Sequence, residues 1–185
     1  MVLTARMIKK DDPDCKVVFI GPCAAKKLEA SRKSVRSDVD FVLTFEEVAG
    51  MFEAKGIDWK DIPEGEPLFC ASADGRGFAV SGGVAEAVVH AVKRIDPDRE
   101  VKVMSAEGLQ NCKKMLQMAK IGKYDGYLLE GMACPGGCVA GAGTIQTVKK
   151  AAAALEKMKK EASFAESYDS EYKTRLESLE KFEVE

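Results

Sequence analysis

EGMACPGGCVAGAG, residues 130–143, sets Cys134 and Cys138 four positions apart in a loop made almost wholly of Pro, Gly and Ala, behind the apolar run Tyr124–Leu129. A strand that opens into a side-chain-poor loop is how an open α/β sheet presents a ligand crevice at the carboxyl end of its strands. Thiolates in such a loop suit iron and sulfide. The soft sulfur binds the metal, and Gly136, Gly137, Gly141 and Gly143 leave room for a bulky inorganic cluster to approach the backbone. A second stretch has the same design: in VVFIGPCAAKKLEA, residues 17–30, Cys23 follows the apolar run Lys16–Ile20.

Outward from these two loops, short apolar or β-branched runs alternate with amphipathic ones, the pattern of an α/β fold with a mainly parallel sheet flanked by helices. Strands are expected at Lys16–Ile20, Val39–Leu43, Val101–Met104 and Tyr124–Leu129. Phe45, Val48, Ala49 and Phe52 share one face behind Thr44 and Glu47, a capping-box pattern that predicts a helix over Thr44–Lys55. Val84, Ala87, Val88, Ala91, Val92 and Ile95 form a second stripe, opened by Gly82 and Gly83 and closed by Pro97. Leu109, Cys112, Met115, Leu116 and Ala119 form a third, which makes Cys112 a small hydrophobe in a helix. Residues Asp58–Gly77 hold Pro63 and Pro67 with little periodicity and read as a long connection. Beyond Gly143, Ala-, Lys- and Glu-rich sequence predicts helices near Thr144–Lys160 and Tyr172–Phe182 with solvated charged faces. A single domain over 1–185 is expected, with an α/β core over 1–143 and terminal helices over 144–185.

Charged residues make up 31% of the chain but the net charge is only -2, so no basic field exists to attract nucleic acid or an anionic membrane. No apolar run approaches the roughly 18 residues of a membrane span, and MVLTARMIKKDD lacks the apolar centre of a signal peptide. A cytoplasmic address follows. There the six cysteines are expected as reduced thiols, free for metal binding or catalysis. One histidine, His90, leaves little scope for a zinc enzyme or a Ser-His-Asp hydrolase.

Three cysteines therefore carry the chemistry: Cys23, Cys134 and Cys138. A cubane iron–sulfur cluster takes four cysteine ligands, so the count falls one short. Cys15 precedes a strand and Cys112 sits in a helix stripe, whereas Cys70 lies in the long connection and is the open candidate for a fourth. A Cys134–Cys138 disulfide is the alternative to metal binding. Lys26, three residues past Cys23, is placed to offer an ammonium to an anionic ligand, against the plainer reading of Lys26 and Lys27 as surface lysines.

The two cysteine segments resemble the second and third signature motifs of the catalytic domain of FeFe (iron-only) hydrogenases, whose patterns are roughly MPCxxKxxE and ExMACxGGCxxGGGQP. Cys23, Lys26 and Glu29 fall in register with the first, and Glu130, Met132, Cys134, Gly136, Gly137 and Cys138 with the second. The likeness extends over residues 1–143 through VDFVLTFEEVAGMFEAKGID and GRGFAVSGGVAEAV. It implies one lobe, and part of the other, of that catalytic domain. It also implies an H-cluster, a four-iron four-sulfur cubane joined to a di-iron unit bearing CO, cyanide and a bridging dithiolate, which serves reversible oxidation of hydrogen. By register, Cys23 and Cys134 would ligate the cubane and Cys138 would bridge the two parts. Lys26 would hydrogen-bond a cyanide, and Met132 would pack beside the cluster.

Two departures accompany the resemblance. The family's first signature, TSCCPxW or a variant, is absent, and with it the fourth ligand. That implies a C-terminal portion of a larger hydrogenase, inactive and cofactor-free by itself, whose partners are the upstream part of the same polypeptide and a ferredoxin or similar electron carrier. In addition, Gly21 stands where the family has methionine, and Gly141–Ile145 reads GAGTI in place of GGGQP. These changes leave open an electron-transfer or hydrogen-sensing iron–sulfur module without the di-iron site, and a metal-free scaffold.

Overall fold

The computed structural model describes residues 1–34, 38–63, 65 and 70–170. Eleven helices and strands of three or more residues, short 3-10 turns aside, follow in the order α1 (Val2–Asp11), β1 (Val18–Ile20), α2 (Ala25–Ser31), β2 (Phe41–Leu43), α3 (Phe45–Ala54), α4 (Ala73–Gly77), α5 (Gly83–Ile95), β3 (Lys102–Glu107), α6 (Leu109–Lys120), β4 (Tyr127–Met132) and α7 (Val148–Lys160) among the described residues. They cluster into two compact units, Met1–Gly65 with Val139–Thr147, and Glu66–Cys138 with Val148–Glu185. The expected helix over Tyr172–Phe182 lies outside the described residues.

The first unit is built on β1 and β2, which pair in parallel with Val18 opposite Phe41 and Ile20 opposite Leu43. Its helix α3 starts as the sequence implies. Thr44 accepts from the Glu47 amide while the Glu47 carboxylate accepts from the Thr44 amide, which satisfies two of the donors a helix start leaves unpaired. Helix α1, which the sequence reading did not anticipate, buries Ala5 and is tied down by Arg6–Asp38 at 3.0 Å and Lys9–Asp40 at 2.8 Å.

The second unit is built on β3 and β4, also parallel, in register from Lys102 opposite Tyr127 to Glu107 opposite Met132. The four strands thus form two separate parallel pairs. Strand β4 is expected at Tyr124–Leu129 and is found three residues later. Tyr124 to Tyr127 make a turn closed by a 3.0 Å hydrogen bond, with Gly126 at φ 77°, so pairing starts only at Tyr127. The consequence is functional, because Glu130 and Met132 become strand residues and Cys134 stands two residues past the strand end. The region read as a long connection contains α4, capped by Ser72, whose hydroxyl accepts from the Gly75 amide at 2.9 Å. Helix α5 falls where expected, but of the expected stripe only Ala87 is buried, while Val88 and Ile95 are exposed and Ala85, outside the stripe, is buried. Helix α7 begins at Val148, later than the expected Thr144. No helix among the described residues is long and apolar enough to cross a membrane.

Candidate metal centre

In the second unit the cysteine loop is held from three sides. Glu130, 7% exposed on β4, accepts the amides of Gly82 at 2.7 Å and Ala85 at 3.1 Å. Since the Gly82 N-cap has no side chain, this carboxylate caps α5 from the neighbouring strand, where the helix dipole favours negative charge. Beyond β4, Cys134–Gly137 is a turn closed by the Gly137 amide donating to the Cys134 carbonyl at 3.0 Å. The Gly136 carbonyl accepts from the Ser81 amide at 3.3 Å, and the Gly136 amide donates to Glu107 Oε2 at 3.1 Å. A side chain at Gly137 would stand 2.6 Å from the Ser81 nitrogen and 2.7 Å from the Ala79 carbonyl, at a φ of +93°. The glycine is therefore spent on backbone packing inside the unit. Cys134 is half-buried and exists as a thiol, so it forms no disulfide with Cys138. Cys138 is exposed and opens a short 3-10 turn, Cys138–Ala140.

In the first unit Cys23 follows β1, half-buried, as a thiol. The Gly21 amide donates to the Leu43 carbonyl at 3.0 Å and extends the ladder to the edge of the loop. The end of the second signature segment belongs to this same unit. Gly143, which ends the second segment, donates its amide to the Pro22 carbonyl at 3.0 Å, and its own carbonyl accepts from the Glu46 amide at 3.2 Å, at the start of α3. Only glycine fits, since a Cβ at 143 would lie 2.4 Å from the Thr44 Cβ. The sequence reading assigned Gly137 and Gly143 to cluster access. The structure instead uses both for close packing of the chain on itself.

Lys26 is the second residue of α2, and its ammonium is paired with Glu29 one turn on, both side chains 33% exposed. Lys27 is not idle either, since it bridges Glu47 at 2.8 Å and the Val42 carbonyl at 3.1 Å. Lys27 and the Thr44 amide hold the Glu47 carboxyl below its ordinary range. Met132, partly exposed, pairs with Glu107 at the end of the second sheet. Cys112 is half-buried, with its thiol against the carbonyls of Ala106 at 3.4 Å and Met132 at 3.6 Å, a structural contact beneath the β4 end. Cys70 is exposed. Among the described residues no three or more His, Cys, Asp or Glu side chains are gathered so as to hold a metal ion. Two polar groups of the second unit left no sequence signal: Glu107 at the cysteine loop, and Asp74 on α4, a buried carboxylate 2.9 Å from His90 Nδ1. Each pairing spans at least sixteen residues and depends on tertiary placement.

Residues 1–142 match the family model described as iron only hydrogenase large subunit, C-terminal domain. The chain belongs to this family. The hydrogenase-family chain is 34% identical over 172 residues to the periplasmic [Fe] hydrogenase large subunit of Nitratidesulfovibrio vulgaris, over 75% of this chain and 41% of that protein. It is 28% identical over 188 residues to a probable cytosolic Fe-S cluster assembly factor of Aedes aegypti, over 77% of this chain and 39% of that protein. Its fold superposes on a variant of the FeFe hydrogenase HydA1 from Chlamydomonas reinhardtii with a TM-score of 0.68 at 20% identity, covering 95% of this chain and 63% of the other. The chain thus spans about two fifths of the curated relatives' length.

For an iron-only hydrogenase domain the donor set is chemically apt. Cys23 and Cys134 are half-buried thiols on loops at strand ends, and a soft thiolate is what iron–sulfur clusters take. The Cys134–Gly137 turn carries no side chain larger than proline between its cysteine and Cys138.

Proposed function

We propose that this chain is the C-terminal part of an FeFe hydrogenase catalytic domain, with Cys23 and Cys134 as cubane ligands and Cys138 as the bridge to a di-iron unit. One observation carries the reading. Within the first unit the Gly143 amide, which ends the second motif five residues beyond Cys138, is bonded to the Pro22 carbonyl next to Cys23. When bound, the cluster supplies the electron exchange that interconverts hydrogen with protons and electrons. The protein supplies the frame. Lys26 brings a positive charge to the Cys23 loop, and Glu29 fixes where that ammonium points, so the pair sets the local field felt by an anionic ligand. Met132 lends a polarizable side chain at the β4 end.

The remaining ligand, and the remainder of the fold, come from hydrogenase sequence beyond this chain, with a ferredoxin-like carrier delivering electrons in the cytoplasm. Two features support an incomplete fold. Among the described residues each sheet has two parallel strands, whereas parallel sheets are normally larger and covered on both faces. On one face of the first sheet Val18, Ile20 and Phe41 are 45%, 50% and 60% exposed.

The test is anaerobic reconstitution with iron and sulfide of this chain and of a version carrying the rest of the domain. Iron, acid-labile sulfide and EPR report the cubane. A stable cubane in the longer protein, lost on Cys134→Ser, is expected, and retention of the cubane in Cys134→Ser would refute the ligand assignment. A second reading, an iron–sulfur protein without a di-iron unit, is favoured by the relative named as an Fe-S cluster assembly factor. Infrared bands of bound CO and cyanide after maturation separate the two.

A further inference from the structure

Glu107 ends β3 with its carboxylate turned to the cysteine loop, where Oε2 accepts the Gly136 amide at 3.1 Å. Its position is fixed by three contacts. Glu107 is in register with Met132, the following Gly108 amide donates to the Met132 carbonyl at 2.8 Å, and Asn111 Nδ2 donates to the Glu107 carbonyl at 2.9 Å. On the loop side, Gly136 is equally constrained, its carbonyl taken by the Ser81 amide.

The amide so held lies two residues beyond Cys134. Side-chain acceptors commonly fold back onto the amide two residues on, as Asp, Asn, Ser and Thr do in their local turns. A cysteine sulfur that ligates iron carries negative charge and competes for the same donor. Amide bonds to ligand sulfurs and the net charge of the site are two of the terms that set an iron–sulfur potential. Each N–H aimed at sulfur stabilises the reduced, more negative cluster. A carboxylate nearby does the reverse.

We propose that Glu107 is a positioning residue that keeps the Gly136 amide away from the Cys134 sulfur and adds a negative charge beside it, so that the cluster's reduction potential is held low. This rests on the cluster reading of Cys134. The role does not involve contact with the reacting atoms, and it is specific to an acid at 107. Glutamine would still accept the amide without the charge, and alanine would release the amide to the sulfur and remove the charge together.

The experiment uses the full chain, reconstituted anaerobically with Fe2+, sulfide and 2-mercaptoethanol, whose thiolate can serve as the missing ligand. Potentials are read by EPR-monitored redox titration in wild type, Glu107→Gln and Glu107→Ala. The expected order is wild type lowest, E107Q higher and E107A highest. A Gly136 amide resonance that moves upfield in both variants of the metal-free chain verifies the contact. A role confined to clamping the loop would be rescued by glutamine, so an E107Q potential equal to wild type overturns the proposal, as does an E107A potential at or below wild type. If neither this chain nor the version carrying the rest of the domain takes up iron, the cluster reading itself fails, a result distinct from a loaded protein whose potential ignores residue 107.

Discussion

Asp40 shows how a single side chain ties the first unit together. Its carboxylate lies 2.8 Å from Lys9 Nζ and 3.4 Å from Lys16 Nζ, and it accepts the Val17 amide at 2.8 Å, so it joins α1 and the approach to β1 to its own position just before β2. Lys9 first, then the Val17 amide, hold its pKa down to about 2. A carboxylate whose folded pKa lies below its unfolded value of about 3.9 contributes stability that is complete above that value. The contribution is lost as pH falls from about 4 towards about 2. In Asp40→Asn this acid-sensitive contribution is expected to vanish. Urea unfolding across that pH range should show a flatter pH dependence than wild type, with the curves converging at the acid end. Equal slopes in the two proteins would show that Asp40 does not carry it.

Among the elements, the Cys134–Gly137 turn tolerates little change. It is fixed to α5 through Glu130 at Gly82 and Ala85, and to the segment before α5 through Ser81. A methyl group at Gly137 meets backbone atoms 2.6–2.8 Å away, and backbone cannot rotate aside as a flexible side chain does. With the positive φ added, Gly137→Ala is expected to cost about 2–4 kcal/mol, overpacking together with backbone strain. Chemical denaturation measures it. A loss under about 1 kcal/mol would mean that the turn yields, a loss no larger than the intrinsic cost of alanine in a left-handed conformation.

At the scale of the molecule the buried apolar set is small. Among the described residues it comprises Ala5, Val39, Ala85, Ala87, Ala106, Met115 and Val139, and no large side chain is fully buried. Stability scales with buried apolar area, so a core dominated by alanine leaves little margin. Two substitutions on neighbouring residues of the first unit gauge this. Val39, 2% exposed, should cost about 2 kcal/mol as Val39→Ala. Phe41, 60% exposed, should change stability by under about 0.5 kcal/mol as Phe41→Ser in this chain. In a protein carrying the rest of the domain the same Phe41→Ser should be clearly destabilising, because that face is then covered. No difference between the two settings would remove the sheet face from the interface.

The sequence by itself determined the family, the α/β class with parallel strands, the capped start of α3 and the place of α5 along the chain. All of these rest on local periodicity or on a short motif, and local steric and hydrogen-bonding rules act within a few residues. It missed α1 and α4, whose anchors are distant: Arg6 on Asp38 for the first, and the Phe164 and Ala165 carbonyls on the Ala73 and Asp74 amides for the second. It also placed β4 three residues early, since periodicity cannot see the turn at Gly126 that sets the register. Only the tertiary structure decided that Gly137 and Gly143 serve packing, that Glu130 caps a helix forty-eight residues away, and that Glu107 holds the Gly136 amide. Those assignments depend on which backbone donors and surfaces meet across the fold, and no spacing along the chain encodes that meeting.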